Sequence, residues 1–138
     1  MRRIFLDTSA LYAAADRSSE RHADCAEAFD ELVRSQVGLV TSALVLAELH
    51  ALTLRRIGPA AALTVVDRLT DSLRVEVRGV TTADVDTAVD LLRSRPNRRY
   101  SLADAVSFEL MRALGIDAVL TLDADFAAEG FTVLPRTA

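Results

Sequence analysis

The sequence predicts an α/β fold, a mainly parallel sheet of about five strands with helices on both faces. Three observations carry this. The 138 residues are 51% hydrophobic and 26% charged with only 5 Gly and 3 Pro, which suits one packed core and excludes disordered and collagen-like chains. Apolar residues recur by turns at strand and helix spacing. No repeat, low-complexity tract or linker divides the chain; Arg95-Pro96-Asn97-Arg98-Arg99 is its most loop-like stretch and is too short to separate domains. Strands separated by helices imply right-handed crossovers, and hence parallel neighbours.

In order, Arg3–Leu6 is a short β-rich run ending at Asp7. Ser9–Ala15 is Ala-rich and helical. His22–Arg34 places Ala26, Phe29, Leu32 and Val33 on one helical stripe. Gly38–Thr41 is a short buried strand, and Ala43–Ile57 a long helix with almost no polar face. Pro59 suits the first turn of another helix, through about Leu69. Leu73–Val77 alternates apolar and charged residues, as a partly exposed edge strand does. Thr81–Arg95 is a helix with Val85, Ala88, Val89 and Leu92 as its stripe. Leu102–Leu114 is a helix stopped by Gly115. Ala118–Leu122 and Phe131–Leu134 are the last strands. In open sheets of this kind ligands sit beyond the carboxyl ends of the strands, where Asp7 and Asp123 both fall.

Composition removes several classes of chemistry. One cysteine, Cys25, excludes an intramolecular disulfide framework and a cysteine zinc cluster. All 16 basic residues are Arg, which excludes P-loop hydrolysis and Schiff-base catalysis. The net charge of −4 argues against a general polyanion binder, so any nucleic acid must be gripped by local Arg patches. Met1-Arg2-Arg3 before an apolar run resembles a secretory signal, but Asp7 interrupts it. No uncharged run approaches the ~20 residues that span a bilayer, so a cytoplasmic protein without a membrane partner is expected.

The acids are the main signal. Asp7 is the only charge between Ile4 and Ala15, Glu48 the only formal charge between Gly38 and Leu54, and Asp104 the only charge between Ser101 and Phe108. Asp123 follows the apolar run Ala118–Leu122. A carboxylate in such a segment tends toward the core, where it must be paired, protonated or metal-bound. No Arg lies within these segments to pair with it. Mg²⁺ or Mn²⁺ suits such a set, because both prefer carboxylate and water oxygens. Each acid also has a structural alternative. Ser101-x-x-Asp104 and Thr81-x-x-Asp84 are capping-box patterns, and Asp84 is read as purely structural. Asp7 and Asp123 could each cap a following helix, and Glu48 could pair with a distant Arg. His50 points away from Glu48 on the helix, His22 is solvated, and Cys25 is a small core filler rather than a nucleophile.

Four stretches together resemble the PIN domain: Ile4-Phe5-Leu6-Asp7-Thr8-Ser9-Ala10-Leu11, Ala47-Glu48-Leu49, Ser101-Leu102-Ala103-Asp104-Ala105 and Leu120-Thr121-Leu122-Asp123-Ala124-Asp125-Phe126. More narrowly they resemble the VapC-type toxins of bacterial toxin–antitoxin pairs. The resemblance covers nearly the whole chain and keeps the acids in the family's order. It implies a single PIN-like nuclease domain over residues 1–138, with a five-stranded parallel sheet and a Mg²⁺-dependent site that cleaves RNA endonucleolytically. By the resemblance, Asp7 and Asp104 match the two central metal-binding acids and Glu48 and Asp123 complete a catalytic quartet. Thr8 or Ser9, and Thr121, match supporting hydroxyl residues. Asp125 matches a position that is sometimes acidic.

Several expectations follow. A metal held by these acids would neutralise a phosphodiester and activate water. Arg95, Arg98 and Arg99, with Arg93, Arg2 and Arg3, are candidates to grip RNA; Tyr100 could stack on a base or pack. A cognate antitoxin could place a basic side chain in the acidic pocket. The apolar helices at Ala43–Ile57 and Ala60–Leu69 offer a homodimer interface or an antitoxin groove. The alternative is a catalytically inert PIN-like module that binds RNA or protein, although all four acids are retained. A phosphoacceptor receiver domain needs a late lysine and is excluded.

Overall fold

The computed structural model describes residues 2–136. The chain runs β1 (Arg3–Leu6), α1 (Thr8–Ala15), α2 (His22–Arg34), β2 (Gly38–Ser42), α3 (Ala43–Arg56), α4 (Pro59–Thr70), β3 (Val75–Arg78), α5 (Thr82–Ser94), α6 (Leu102–Leu114), β4 (Ala118–Leu120), α7 (Asp125–Ala128) and β5 (Thr132–Leu134). The five strands form one parallel sheet in the order β3-β2-β1-β4-β5. β1 is central. The chain lays β2 and β3 to one side, then returns to place β4 against the other edge of β1, with Ile4 opposite Ala118 and Leu6 opposite Leu120. Because crossovers are right-handed, reversing direction moves the helices to the other face. α1–α4 accordingly pack among themselves, as do α5 and α6. The β1/β4 boundary is thus the topological switch point, the place where open sheets bind ligands.

Burial explains the elements. Ile4, Phe5 and Leu6 of β1 and Ala118, Val119 and Leu120 of β4 are shielded on both faces, as central parallel strands are. β3, at the edge, alternates buried Val75, exposed Glu76, half-buried Val77 and exposed Arg78. Under α5–α7 an aromatic cluster fills the core: the Phe108 ring meets Tyr100 and Phe126 edge-on, at centroid distances of 5.1 and 4.8 Å. Cys25 is fully buried, as a core filler is.

β2 and β3 each run one residue further than expected, to Ser42 and Arg78, and three other strand boundaries differ, each for a local reason. β3 begins at Val75 rather than Leu73. The Arg74 amide donates to Ser72 Oγ, and its guanidinium donates to the carbonyls of Val33 and Val37, which holds Leu73 in an exposed turn. β4 stops at Leu120 because the Leu122 amide leaves the ladder to donate to Ser9 Oγ at 2.9 Å. β5 begins at Thr132, the Phe131 amide being bonded to the Phe126 carbonyl. His22 is half-buried rather than solvated, with Nδ1 2.9 Å from the Ala13 carbonyl oxygen. Both capping boxes form as read. Gly115, at φ 69°, supplies the left-handed residue that ends α6. No helix among the described residues is long and apolar enough to cross a membrane.

Candidate functional site

Asp7 leaves the carboxyl end of β1 with its amide still on the ladder, donating to the Leu120 carbonyl at 3.0 Å. This fixes it beside the end of β4. Its side chain, 7% exposed, does not cap α1; the helix begins without a side-chain cap bond. Instead Oδ2 accepts from Thr121 Oγ1 at 2.7 Å and Ser9 Oγ at 3.0 Å. Those hydroxyls are 3.0 Å apart and themselves accept the amides of Asp123 and Leu122. Burial pushes the Asp7 pKa up, against the pull of the Thr121 and Ser9 hydroxyls.

Asp104 opens α6 at its third residue, so its backbone amide donates to Ser101 Oγ while Oδ2 accepts the Ser101 amide at 3.2 Å. One oxygen is used by the cap and the carboxylate remains half-buried. Capping and site membership coexist here. Burial raises its pKa, and the charges of Asp123 and Asp7 raise it further against the bonds to Ser101. Asp123 does not cap α7; Ala124 holds that position, and Asp123 Oδ1 accepts the amide of Asp125 at 2.9 Å. Asp104, Asp123 and Asp125 can each aim an oxygen so that all three lie within 4.8 Å of one another.

Glu48, on α3, is the most open of the four predicted acids rather than drawn into the core. No Arg pairs with it. Thr8 Oγ1 donates to Oε1 at 3.2 Å and turns it toward the cluster. Partial burial raises its pKa against the Thr8 bond, and Asp7 and Asp104 add to the rise. Asp125 is raised by burial and then by Asp123 and Asp104, with Arg98 opposing. The structure therefore brings Asp7, Glu48, Asp104 and Asp123 to one strand-end cleft, together with Asp125, Thr8, Ser9 and Thr121.

None of the ion pairs among the described residues involves these five acids. Arg98 and Arg99 are exposed in the loop before α6, unpaired among those residues. Arg95, in the same loop, is instead bonded to Glu129. Tyr100 packs against Phe108 and donates to Glu129. Sequence reasoning passed over Glu129, although a lone acid among Phe126-Ala127-Ala128 and Gly130-Phe131 carries the same signal that found Glu48. The donors at the cleft are hard carboxylate and hydroxyl oxygens. That set suits Mg²⁺ or Mn²⁺ and no soft metal.

The sequence matches the PIN domain over residues 4–131. It is 37% identical over 131 residues to the 23S rRNA-specific endonuclease VapC20 of Mycobacterium tuberculosis, covering 93% of this chain and 95% of that protein. It is 32% identical over 120 residues to the ribonuclease VapC26 of the same species, covering 87% and 86%. The fold superposes on the crystal structure of VapC20, described as a sarcin-ricin loop cleaving toxin, with a TM-score of 0.86, covering 94% and 96%. It superposes on DNA-bound VapBC from Salmonella typhimurium with a TM-score of 0.69 at 18% identity, covering 96% and 97%; that likeness shows the fold alone.

Proposed function

The chain belongs to the PIN-domain family, on its VapC branch, and from that membership we propose that it is a divalent-metal-dependent endoribonuclease, the toxin of a toxin–antitoxin pair. The observation that carries the reading is the gathering of Asp104, Asp123 and Asp125 at the switch point, with Asp7 and Glu48 near enough for their charges to act on one another and on Asp104, and with no Arg among the described residues bonded to any of the five. Acids left so close together call for a cation from outside.

Asp7, Asp104, Glu48 and Asp123 would hold Mg²⁺, or Mn²⁺ in its place, with Asp125 beside them. When bound, the ion neutralises charge on the phosphodiester and lowers the pKa of a water. Around it the chain's own groups have distinct work. Ser9 and Thr121 hold the Asp7 carboxylate in one orientation through their hydroxyls. Glu48, open to solvent and anchored by Thr8, would complete the carboxylate set and orient the attacking water. Arg98 and Arg99 bind phosphates flanking the cleaved bond. The VapC20 relative makes 23S rRNA the first substrate to offer.

The partners follow from the same reading. A hollow of about 470 Å³, lined by apolar Leu11, Phe29, Leu49 and Val65 and by polar Arg17, His22, Asp30 and Arg68, suits an amphipathic antitoxin helix. A basic side chain from that antitoxin would pair with the cluster and block the cation. Exposed Leu54 on α3, Leu63 on α4 and Ile57 in the turn between them suit a homodimer interface. RNA as substrate places the protein's work in the cytoplasm. The test offers purified 23S rRNA and transfer RNA to the protein in Mg²⁺, in Mn²⁺ and in EDTA, beside Asp7→Asn. Specific cuts that need the metal and vanish in the variant are expected. Cutting that persists in EDTA removes the metal mechanism, and binding without cutting in any metal leaves an inert binding module.

A further inference from the structure

Three of the cluster acids come from two parts of the chain, the start of α6 (Asp104) and the turn after β4 with the first residue of α7 (Asp123, Asp125). One buried side chain fastens these pieces together. Glu129 ends α7, its amide donating to the Asp125 carbonyl at 3.1 Å, and its side chain is 4% exposed. Oε2 accepts from Arg95 Nε at 3.1 Å and from the Tyr100 hydroxyl at 2.8 Å. Oε1 accepts from Arg112 Nη2 at 2.9 Å and Arg95 Nη2 at 3.4 Å. Arg95 and Tyr100 bracket the loop that carries Arg98 and Arg99, and Tyr100 directly precedes Ser101, whose amide holds Asp104 Oδ2. Arg112 lies in the last turn of α6.

We propose that Glu129 is a positioning residue for the metal site, setting the separation of Asp104 from Asp123 and Asp125 by clamping the 95–100 loop and α6 to α7. The proposal rests on the nuclease reading above. The aromatic contacts of Phe108 with Tyr100 and Phe126 join the same pieces, but rings slide where a fully bonded carboxylate does not. Glu129 spends all its bonding capacity on the clamp and has none left for an ion. It acts on the site through Tyr100–Ser101, through Arg112 on α6 and through the α7 backbone, so removing its charge loosens carboxylate spacing without removing a ligand.

The test measures Mn²⁺ affinity of the full chain by electron paramagnetic resonance, for the wild type, Glu129→Gln and Tyr100→Phe. Groups that orient ligands from behind change metal affinity by about 10–100-fold, so Glu129→Gln is expected to weaken Mn²⁺ binding by about tenfold or more. Tyr100→Phe keeps the ring and loses one bond to Glu129, and is expected to weaken binding by a smaller factor. Mn²⁺ bound at saturation is expected to stay unchanged, and RNA cleavage to recover as Mg²⁺ is raised. Simple loss of folded protein would do the reverse, lowering the saturation level and leaving the affinity alone. Wild-type affinity in both variants overturns the proposal. If Glu129→Gln does not fold, Tyr100→Phe decides by the same criterion. A wild type that binds no Mn²⁺ sinks the nuclease reading and this inference together; a binding wild type with unshifted variants sinks this inference alone.

Discussion

Two carboxylate regions in this molecule meet opposite fates. At Glu129, burial alone would raise the pKa, but bonds from Arg112, Tyr100 and Arg95 overcome it and hold the carboxyl at about 2. At the strand-end cleft, Asp7, Glu48, Asp104 and Asp125 are all raised, first by burial and, for all but Asp7, by one another's charges. The chain has 16 Arg, so cations are not scarce. Two are spent on one buried Glu and none is bonded to the five clustered acids. The structural carboxylate is neutralised from within; on the proposed function, the cleft acids are left for a ligand to neutralise.

The largest expected difference between the regions is in activity. On the proposed metal mechanism, Asp104→Asn removes a ligand charge from the cleft, and several kcal/mol of barrier lowering would depend on the bound ion. Cleavage is expected to fall by about a thousandfold, roughly 4 kcal/mol, in single-turnover assays at saturating RNA. Glu129→Ala acts on the other quantity. It strands Arg95 and Arg112 beside an empty acceptor, and is expected to destabilise the fold by about 3 kcal/mol in urea titrations. An unchanged urea midpoint would mean that the exposed flanks of the two Arg already satisfy them in water, and the contrast between the regions would collapse.

Asp7, Glu48 and Asp104 were legible in sequence because each stands alone in an apolar stretch, and Asp123 because it ends an apolar run, which are one-dimensional signals. The core strands were legible for the same reason, since both faces of β1 and β4 are covered and their runs are continuously apolar. What sequence could not give was set by contacts distant along the chain. The early stop of β4 depends on Ser9, 113 residues away from Leu122. Arg95 reads as a free rim charge until Glu129, 34 residues later, folds back onto it. Asp125 read in sequence only as a position that is sometimes acidic, because spacing along a turn says nothing about which carboxylates it gathers; the Asp123 side chain that accepts its amide draws it in.

Acidity separates the regions next, and the sign differs between them. Glu129 has a depressed pKa in the fold, so its contribution is fully present above the unfolded value of 4.5 and is lost as pH falls toward about 2. The cleft acids have raised values, so the folded protein binds protons where the unfolded chain does not. Without metal, stability is therefore expected to rise as pH drops from neutral toward the ordinary carboxylate range, and to fall only below it. Mg²⁺ should reverse the first limb, since the ion competes with those protons and stabilises more as pH rises. Thermal melts across pH with Mg²⁺ or EDTA read both limbs. A metal-free midpoint that falls steadily from neutral pH downward would show that the cleft acids are not under mutual strain.

The smallest expected effect is the sharpest, because it asks the same substitution a different question. Asp104 is both a cap and a member of the crowded cleft. Asn keeps an oxygen that can accept the Ser101 amide, so the capping box persists in Asp104→Asn, while one of the charges repelling Asp123 and Asp7 disappears. Losing a cap outright costs about 1 kcal/mol, and relief of repulsion acts in the opposite direction. The metal-free variant is therefore expected to melt within about 1 kcal/mol of wild type, or above it, despite having lost nearly all activity. A loss well beyond a cap's worth would place Asp104 with Glu129, as a carboxylate kept to hold the fold; near-neutrality places it with the acids that the fold tolerates for the sake of what they bind.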